Sequence, residues 1–234
     1  MIRGFIETSL VDWDGKISSV VFIDKCNFMC PFCQNWDLII NQDKFPIIEW
    51  DFIKEKLKGK KKWVDGVVLT GGEPLCSVQE TTQICKKIKE LGLLVKVDTN
   101  GAFPDILKKM IENKLVDYVA MDIKAPINER YNIATGKQVD LENIKKTIKI
   151  LMSGDIDYEF RTTCVPGIID ENAIHQIGKT IRGARKWALQ EHIPDNAYKS
   201  LYQQKLSPEY HQQLRRYFEI SKQYVKNTIL RAKI

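Results

Sequence analysis

The run Ser18-Ser19-Val20-Val21-Phe22-Ile23-Asp24-Lys25-Cys26-Asn27-Phe28-Met29-Cys30-Pro31-Phe32-Cys33-Gln34-Asn35 joins an uncharged, β-branched stretch to a loop carrying three cysteines. Ser18–Ile23 shows no polar/apolar alternation, so it reads as a strand covered on both faces, the habit of parallel sheets. Similar runs recur at Gly66–Thr70, Leu93–Asp98, Asp117–Ile123, Tyr158–Val165 and Ala184–Gln190. Helical spacing fills the intervals. Ile84, Ile88 and Leu91 make one apolar stripe, Phe103, Ile106, Leu107, Met110 and Ile111 a second, and Leu141, Ile144, Ile148 and Leu151 a third. Strands alternating with helices require right-handed crossovers, so the pattern predicts an α/β fold with mostly parallel strands. Periodicity leaves two architectures, an open doubly wound sheet and a curved, incomplete barrel. The first crossover has no Gly-x-Gly-x-x-Gly, so nothing supports dinucleotide binding.

In the tail, Ser207 before Pro208 predicts a capped helix start, and Tyr210, Leu214, Phe218 and Val225 give that C-terminal helix an apolar stripe. Thr228–Arg231 reads as a short strand. No Pro/Gly/Ser linker or low-complexity segment interrupts the chain. One domain is therefore expected over 1–234, with a core of 17–192 and a segment, 193–234, that covers the sheet and carries no chemistry.

Composition narrows the function classes. The 234 residues are 44% hydrophobic and 28% charged, ordinary for a soluble domain. No apolar run approaches the roughly 20 residues that span a bilayer. Met1–Glu7 lacks the apolar core and cleavage site of a secretion signal, so a cytoplasmic location without a membrane partner is expected. Three of the six cysteines fall within eight residues, which points to metal in a reducing compartment rather than to a disulfide framework. Part of the net charge of +6 lies in Lys58-Gly59-Lys60-Lys61-Lys62, read as a solvated loop. Basic residues are not gathered with aromatic platforms, so no nucleic-acid partner is expected.

Cys26, Cys30 and Cys33 supply three thiolates, enough for three irons of a cubane, leaving the fourth open to an exogenous ligand. An open coordination position is what a catalytic metal centre needs. The competing ligand is structural zinc, which prefers four protein ligands; Cys76 is the thiol that folding would have to bring close. A second set of polar residues marks the ends of the following strands. Gly71 and Gly72 allow close backbone approach to a ligand, and Glu73 before Pro74 suits an ammonium group. Asp98, Asp122 and Lys124 close the next two strands, and strand ends of a parallel barrel converge on one site. Two acids and a lysine suit a zwitterionic amino acid, whose ammonium and carboxylate both need partners when desolvated. Ordinary turn chemistry competes, and is preferred for Asn100-Gly101. Arg161 lies within a strand and has to face a carboxylate or a polar end of the site. His192 ends the sixth strand, with a surface histidine as the rival reading. His175 and His211 read as solvated helix residues.

Cys-x-x-x-Cys-x-aromatic-Cys, with Cys-Asn before and Gln-Asn after, resembles the signature of the radical S-adenosylmethionine (SAM) superfamily, in its glycyl-radical enzyme activating branch. From Cys26 to His192 the order of motifs resembles anaerobic ribonucleoside-triphosphate reductase activating proteins. Ile17–Ile23, Val116–Lys124 and Tyr158–Thr163 share that likeness. The resemblance implies a partial (β/α)6 TIM-type barrel with a lateral opening for a partner's loop. It implies a [4Fe-4S] cluster on Cys26, Cys30 and Cys33 that cleaves SAM reductively, releasing a 5′-deoxyadenosyl radical that takes hydrogen from a glycine of the partner. By the same resemblance Phe32 lies near the adenine, and Gly71, Gly72 and Glu73 receive the methionine amino group. Lys124 meets the methionine carboxylate, Asp98 and Asp122 help to build a monovalent cation site, and Arg161 and His192 stand near the cofactor. Flavodoxin or ferredoxin is the implied electron donor. Three alternatives remain: a radical enzyme acting on a small molecule, such as 7-carboxy-7-deazaguanine synthase; a non-catalytic iron–sulfur electron carrier; and a zinc-stabilised binding module.

Overall fold

A computed structural model describes residues 1–233; Ile234, the last residue of the expected covering segment, lies outside them. Contacts divide these residues into two units, the first comprising Met1–Asn27, Asn35–Thr99 and Phe103–Ala120, the second Phe28–Gln34, Asn100–Ala102 and the rest from Met121.

The first unit begins with β1 (Ile2–Ser9), antiparallel to β2 (Ser18–Ile23). After α1 (Trp36–Ile40) and α2 (Trp50–Lys60) come β3 (Gly66–Gly71), α3 (Val78–Glu90), β4 (Leu94–Thr99) and α4 (Pro104–Glu112). β2, β3 and β4 are parallel. Val20, Val21, Val67, Val68, Leu69, Val95 and Val97 are completely buried, as unbroken apolar strands require. α3 turns Ile84, Cys85 and Ile88 inward, and α4 turns Leu107 and Met110. Lys58, Gly59 and Lys60 are the last turn of α2 rather than a loop. Cations there oppose the negative end of the helix dipole, and Lys60 reaches Glu7 at 3.0 Å.

β5 (Tyr118–Asp122) starts in the first unit and ends in the second. The second unit continues with α5 (Arg130–Thr135), α6 (Leu141–Ser153), β6 (Asp157–Cys164), α7 (Glu171–Thr180), β7 (Trp187–Glu191), α8 (Tyr210–Ser221) and β8 (Thr228–Arg231). β6, β7 and β8 are parallel. α6 buries Ile144, Ile148 and Leu151 and is capped by Asp140, whose carboxylate accepts from the Glu142 amide. Asp170 caps α7 through the Ala173 amide at 2.6 Å. α8 starts two residues later than the Ser-Pro signal suggests. Ser207 serves the turn before it through its carbonyl, which accepts from the Tyr210 amide. The tail also supplies β8 to the sheet beside β7, so it is more than a cover. Strand order follows the chain from β1 to β8, an α/β fold with mostly parallel strands.

Candidate active site

In the first unit, register decides which loops leave the sheet together. β2 and β3 run in step from Ser18 opposite Gly66 to Ile23 opposite Gly71, so the cysteine loop and the Gly-Gly-Glu-Pro turn emerge side by side. The Gly72 amide donates to the Ile23 carbonyl at 2.8 Å and the Glu73 amide to the Lys25 carbonyl at 2.6 Å. Gly71 has φ +103°, and a Cβ on Gly72 would stand 2.1 Å from the Lys25 carbonyl oxygen. Beyond the loop, Asn35 donates from Nδ2 to the Gly71 carbonyl at 2.9 Å. Entry and exit of the cysteine loop are thus pinned to one turn. The glycines were expected to admit a ligand; what they admit at close range here is the backbone leading into Cys26.

Glu73 is completely buried. Its Oε1 accepts from the Leu75 amide at 3.1 Å and from Thr99 Oγ1 at 2.9 Å, which ties the turn to the end of β4. Asp98, also on β4, lies 3.3 Å from the ammonium of buried Lys96. That ammonium donates to the Asp12 carbonyl and faces the Tyr118 ring at 5.8 Å. Cys76 lies near the loop, its Sγ 3.7 Å from Asn27 Oδ1.

In the second unit, Cys30 is buried and Cys33 half-buried, and all six cysteines of the chain are free thiols. Burial pushes the Cys30 thiol up to about 11, although Lys124 pulls against it. Burial also works to raise Asp122, but Arg161 and Lys124 overcome it and hold the carboxyl at about 2. Arg161 Nε donates to Asp122 Oδ1 at 2.7 Å and Lys124 Nζ to Oδ2 at 3.2 Å, so the arginine does face a carboxylate. Burial by itself would lower Lys124; Asp122 and then Cys30 raise it well above the ordinary lysine range. One carboxylate against two fixed cations leaves positive charge beside Cys30 and Cys33, which favours a thiolate or an incoming carboxylate.

The tip of the cysteine loop is held from two sides within this unit. The Met29 amide donates to the Thr135 carbonyl at 2.8 Å at the end of α5, where Gly136 takes φ +66°. Residues 193–203 form a strap on the other side. The Lys199 amide donates to the Pro31 carbonyl at 2.8 Å, Gln34 Nε2 to the Ile193 carbonyl at 2.9 Å, and Asn196 Nδ2 to the Gln34 carbonyl at 2.7 Å. Phe32 is buried with its ring edge-on to Tyr202, centroids 6.3 Å apart. His192 is buried too, its Nε2 2.9 Å from the Tyr202 carbonyl, which corrects the surface reading. The Tyr210 hydroxyl accepts from the His192 amide at 2.7 Å and donates to the Cys164 carbonyl at 2.9 Å.

The remaining histidines and cysteines fall outside this arrangement. His175 and His211 lie on helices as expected but are only half-exposed: His175 Nδ1 meets the Tyr224 hydroxyl at 2.8 Å, and His211 Nε2 lies 2.9 Å from Glu191. Burial pushes Cys85 and Cys164 up to about 12, which marks them as inert packing groups. Residues with no motif to announce them include Lys96, Thr99, the 193–203 strap and Tyr202. Lys96 alone had a signal: a charge inside the apolar run Val95-Lys96-Val97 has to be paired.

Residues 20–176 match the radical SAM superfamily profile. The chain belongs to the radical SAM superfamily. Within it, this radical SAM protein is 32% identical over 99% of its length to MJ1227 of Methanocaldococcus jannaschii, provisionally named a glycyl-radical enzyme activating enzyme, and spans 95% of that protein. It is 27% identical to the pyruvate formate-lyase-activating enzyme of Clostridium pasteurianum, over 83% of each chain. These relatives put it in the glycyl-radical enzyme activating family. Among solved structures, Streptococcus suis SuiB bound to its precursor peptide SuiA superposes with a TM-score of 0.68 at 14% identity, over 91% of this chain and 48% of SuiB. That likeness carries the fold, the partial β/α barrel of radical SAM enzymes. A [4Fe-4S] cluster and SAM follow from the family. The chemistry of the donor set suits them, three unbridged thiols within eight residues with Lys124 raising the electrostatic potential around two of them, although among the described residues no three Cys, His, Asp or Glu side chains are drawn together as a metal site.

Proposed function

We propose that this radical SAM enzyme installs a glycyl radical on anaerobic ribonucleoside-triphosphate reductase, in the cytoplasm, with flavodoxin or ferredoxin as reductant. The observation that carries the reading is that Cys30 and Cys33 of the three-thiol loop lie in the field of Lys124, which Asp122 shares with Arg161. Cys26, Cys30 and Cys33 would hold the cluster, and the chemistry it would supply there is one-electron reductive cleavage of SAM. In the partner, a glycine Cα gives up one hydrogen atom and 5′-deoxyadenosine leaves.

This chain's own residues do the binding and orienting. Lys124 receives the methionine carboxylate, and Arg161 keeps Asp122 from neutralising that lysine, since the carboxylate divides itself between two cations. The Gly71–Glu73 turn receives the amino group through Glu73, whose orientation is fixed by Leu75 and Thr99. Phe32 and the buried His192, both braced on Tyr202, line the adenosine side. The monovalent cation that the resemblance implies finds its electrostatic role already filled: Lys96 stands by Asp98, and Arg161 and Lys124 by Asp122.

The test is anaerobic incubation of the enzyme with reductant, SAM and the reductase. A glycyl electron-spin signal on the reductase, together with 5′-deoxyadenosine, is the expected result. Cleavage without a signal on any glycyl-radical enzyme would turn the reading to a small-molecule substrate.

A further inference from the structure

Among the described residues of the second unit, the large apolar side chains that stand exposed are Ile133, Ile193 and Leu201, at 63%, 42% and 66%. Single exposed aliphatics are ordinary on any surface. These three share a location: each belongs to a segment that clasps the cysteine loop. Ile133 lies on α5, two residues before Thr135, whose carbonyl accepts from the Met29 amide at 2.8 Å. The Ile193 carbonyl accepts from Gln34 Nε2 at 2.9 Å. Leu201 lies two residues after Lys199, whose amide donates to the Pro31 carbonyl at 2.8 Å, and directly before Tyr202, whose ring meets Phe32.

The loop between these clasps offers an electron a way in. Cys30 and Phe32 are buried and Cys33 is half-buried, while Met29 and Pro31 are half-exposed and Gln34 is exposed. A donor that covers Met29 and Pro31 stands one residue from Cys30 on either side. Residues 28–34 carry no charged side chain. On the flanking segments, 129–137 and 193–205, the exposed charges are Lys137, Lys199 and Lys205 against Glu129 and Asp195. The chain as a whole carries +6. An uncharged loop flanked by aliphatics, with lysines in excess around it, matches an interface of apolar core and charged rim, and the net charge draws in an acidic partner. Electron-transfer complexes are small, burying less than about 1,200 Å² in total, so a patch of this size suffices.

We propose that the cysteine loop with Ile133, Ile193 and Leu201 is the docking face for the reductant, an acidic protein that carries a flavin: flavodoxin in the function proposed above, on which the proposal rests. The dimethylbenzene edge of a flavin is apolar and suits aliphatic side chains, whereas an iron–sulfur carrier presents a centre held by anionic thiolates. The carrier gives up one electron, the cluster gains it, and no bond forms or breaks between the two proteins.

Oxidised flavodoxin, titrated into the anaerobically reconstituted enzyme, is the probe. Leu201→Asp and Ile133→Asp are each expected to raise its dissociation constant about tenfold or more, since a few apolar anchors carry most of an interface. Lys199→Glu is expected to reduce the salt dependence of association. With dithionite in place of flavodoxin, all three variants are expected to release 5′-deoxyadenosine at the parent's rate. Hydrogen exchange on the parent gives a readout that needs no variant: flavodoxin is expected to protect residues 129–137 and 193–203. Flavodoxin dissociation constants equal to the parent's in both aspartate variants, or protection confined to other segments, overturn the proposal. Ferredoxin weakened by these variants in place of flavodoxin overturns it too. A parent protein that releases no 5′-deoxyadenosine with dithionite would instead refute the function proposed above, and the binding and exchange measurements would still decide the docking face.

Discussion

Lys124 acts electrostatically on both Cys30 and Cys33 of the cysteine loop. It is held at 3.2 Å from Asp122, and that carboxylate is itself shared with Arg161 at 2.7 Å. Lys124→Ala is expected to weaken SAM binding roughly tenfold or more, because hydrogen bonds to charged groups contribute about 1.5–3 kcal/mol. Equilibrium binding to the reconstituted protein measures it, and an unchanged dissociation constant would remove the assignment. Since Lys96 and Arg161 already answer the charges of Asp98 and Asp122, replacing sodium and potassium by tetramethylammonium is expected to leave SAM binding unchanged. A marked loss in that buffer would restore the cation site. His192 makes a different prediction. Burial lowers its pKa from 6.5, with the Tyr202 carbonyl working the other way, so the folded state prefers the neutral ring. The unfolded chain then binds the proton more tightly, and the stabilisation present above pH 6.5 is lost as pH falls below it. His192→Gln is expected to flatten unfolding free energy against pH in that window; an identical slope would show that the ring does not titrate there. At this scale the cysteines stood out by spacing, while the strand-end acids looked like turn residues until the family resemblance made them candidates. Tyr202 did not stand out, because a tyrosine in a helix or loop looks the same in sequence whether its partner is water or the site.

At the scale of elements, the Gly71–Glu73 turn and the cysteine loop are one construction. The in-step register of β2 and β3 brings them out together, and Gly72 permits a contact that no side chain fits. Gly72→Ala is expected to displace Lys25 and with it the backbone entering Cys26, and so to lower iron content after anaerobic reconstitution. Iron per chain equal to the parent's would show that the turn yields instead. The buried parallel strands were legible because their apolar runs are short and β-branched, which favours a strand over a buried helix. β1 was not: Arg3, Glu7 and Thr8 interrupt its apolar residues, and as an antiparallel strand with much of its length half-exposed it needs no apolar run. The 193–203 strap was missed for another reason. Its bonds with the cysteine loop, Lys199 to Pro31, Gln34 to Ile193 and Asn196 to Gln34, all end on backbone carbonyls, and a carbonyl acceptor leaves no trace in side-chain identity.

For the whole molecule, family membership and fold both follow from the parallel α/β pattern and the loop it carries, whereas the partner follows from neither. Sequence could leave the sheet open or curved because hydrophobic periodicity records which faces are buried, not how the sheet bends. Likeness to solved structures, one of them named a radical SAM enzyme, decided between the two fold types. In the function proposed here, catalysis depends on three thiols being too few for a cubane, so that one iron remains for SAM. The direct measurement is the electron-spin resonance of the anaerobic, reduced protein before and after SAM is added. The account predicts a one-electron-reduced four-iron signal that changes when SAM binds, followed by methionine and 5′-deoxyadenosine. A four-iron signal indifferent to SAM, or no four-iron signal at all, would contradict it.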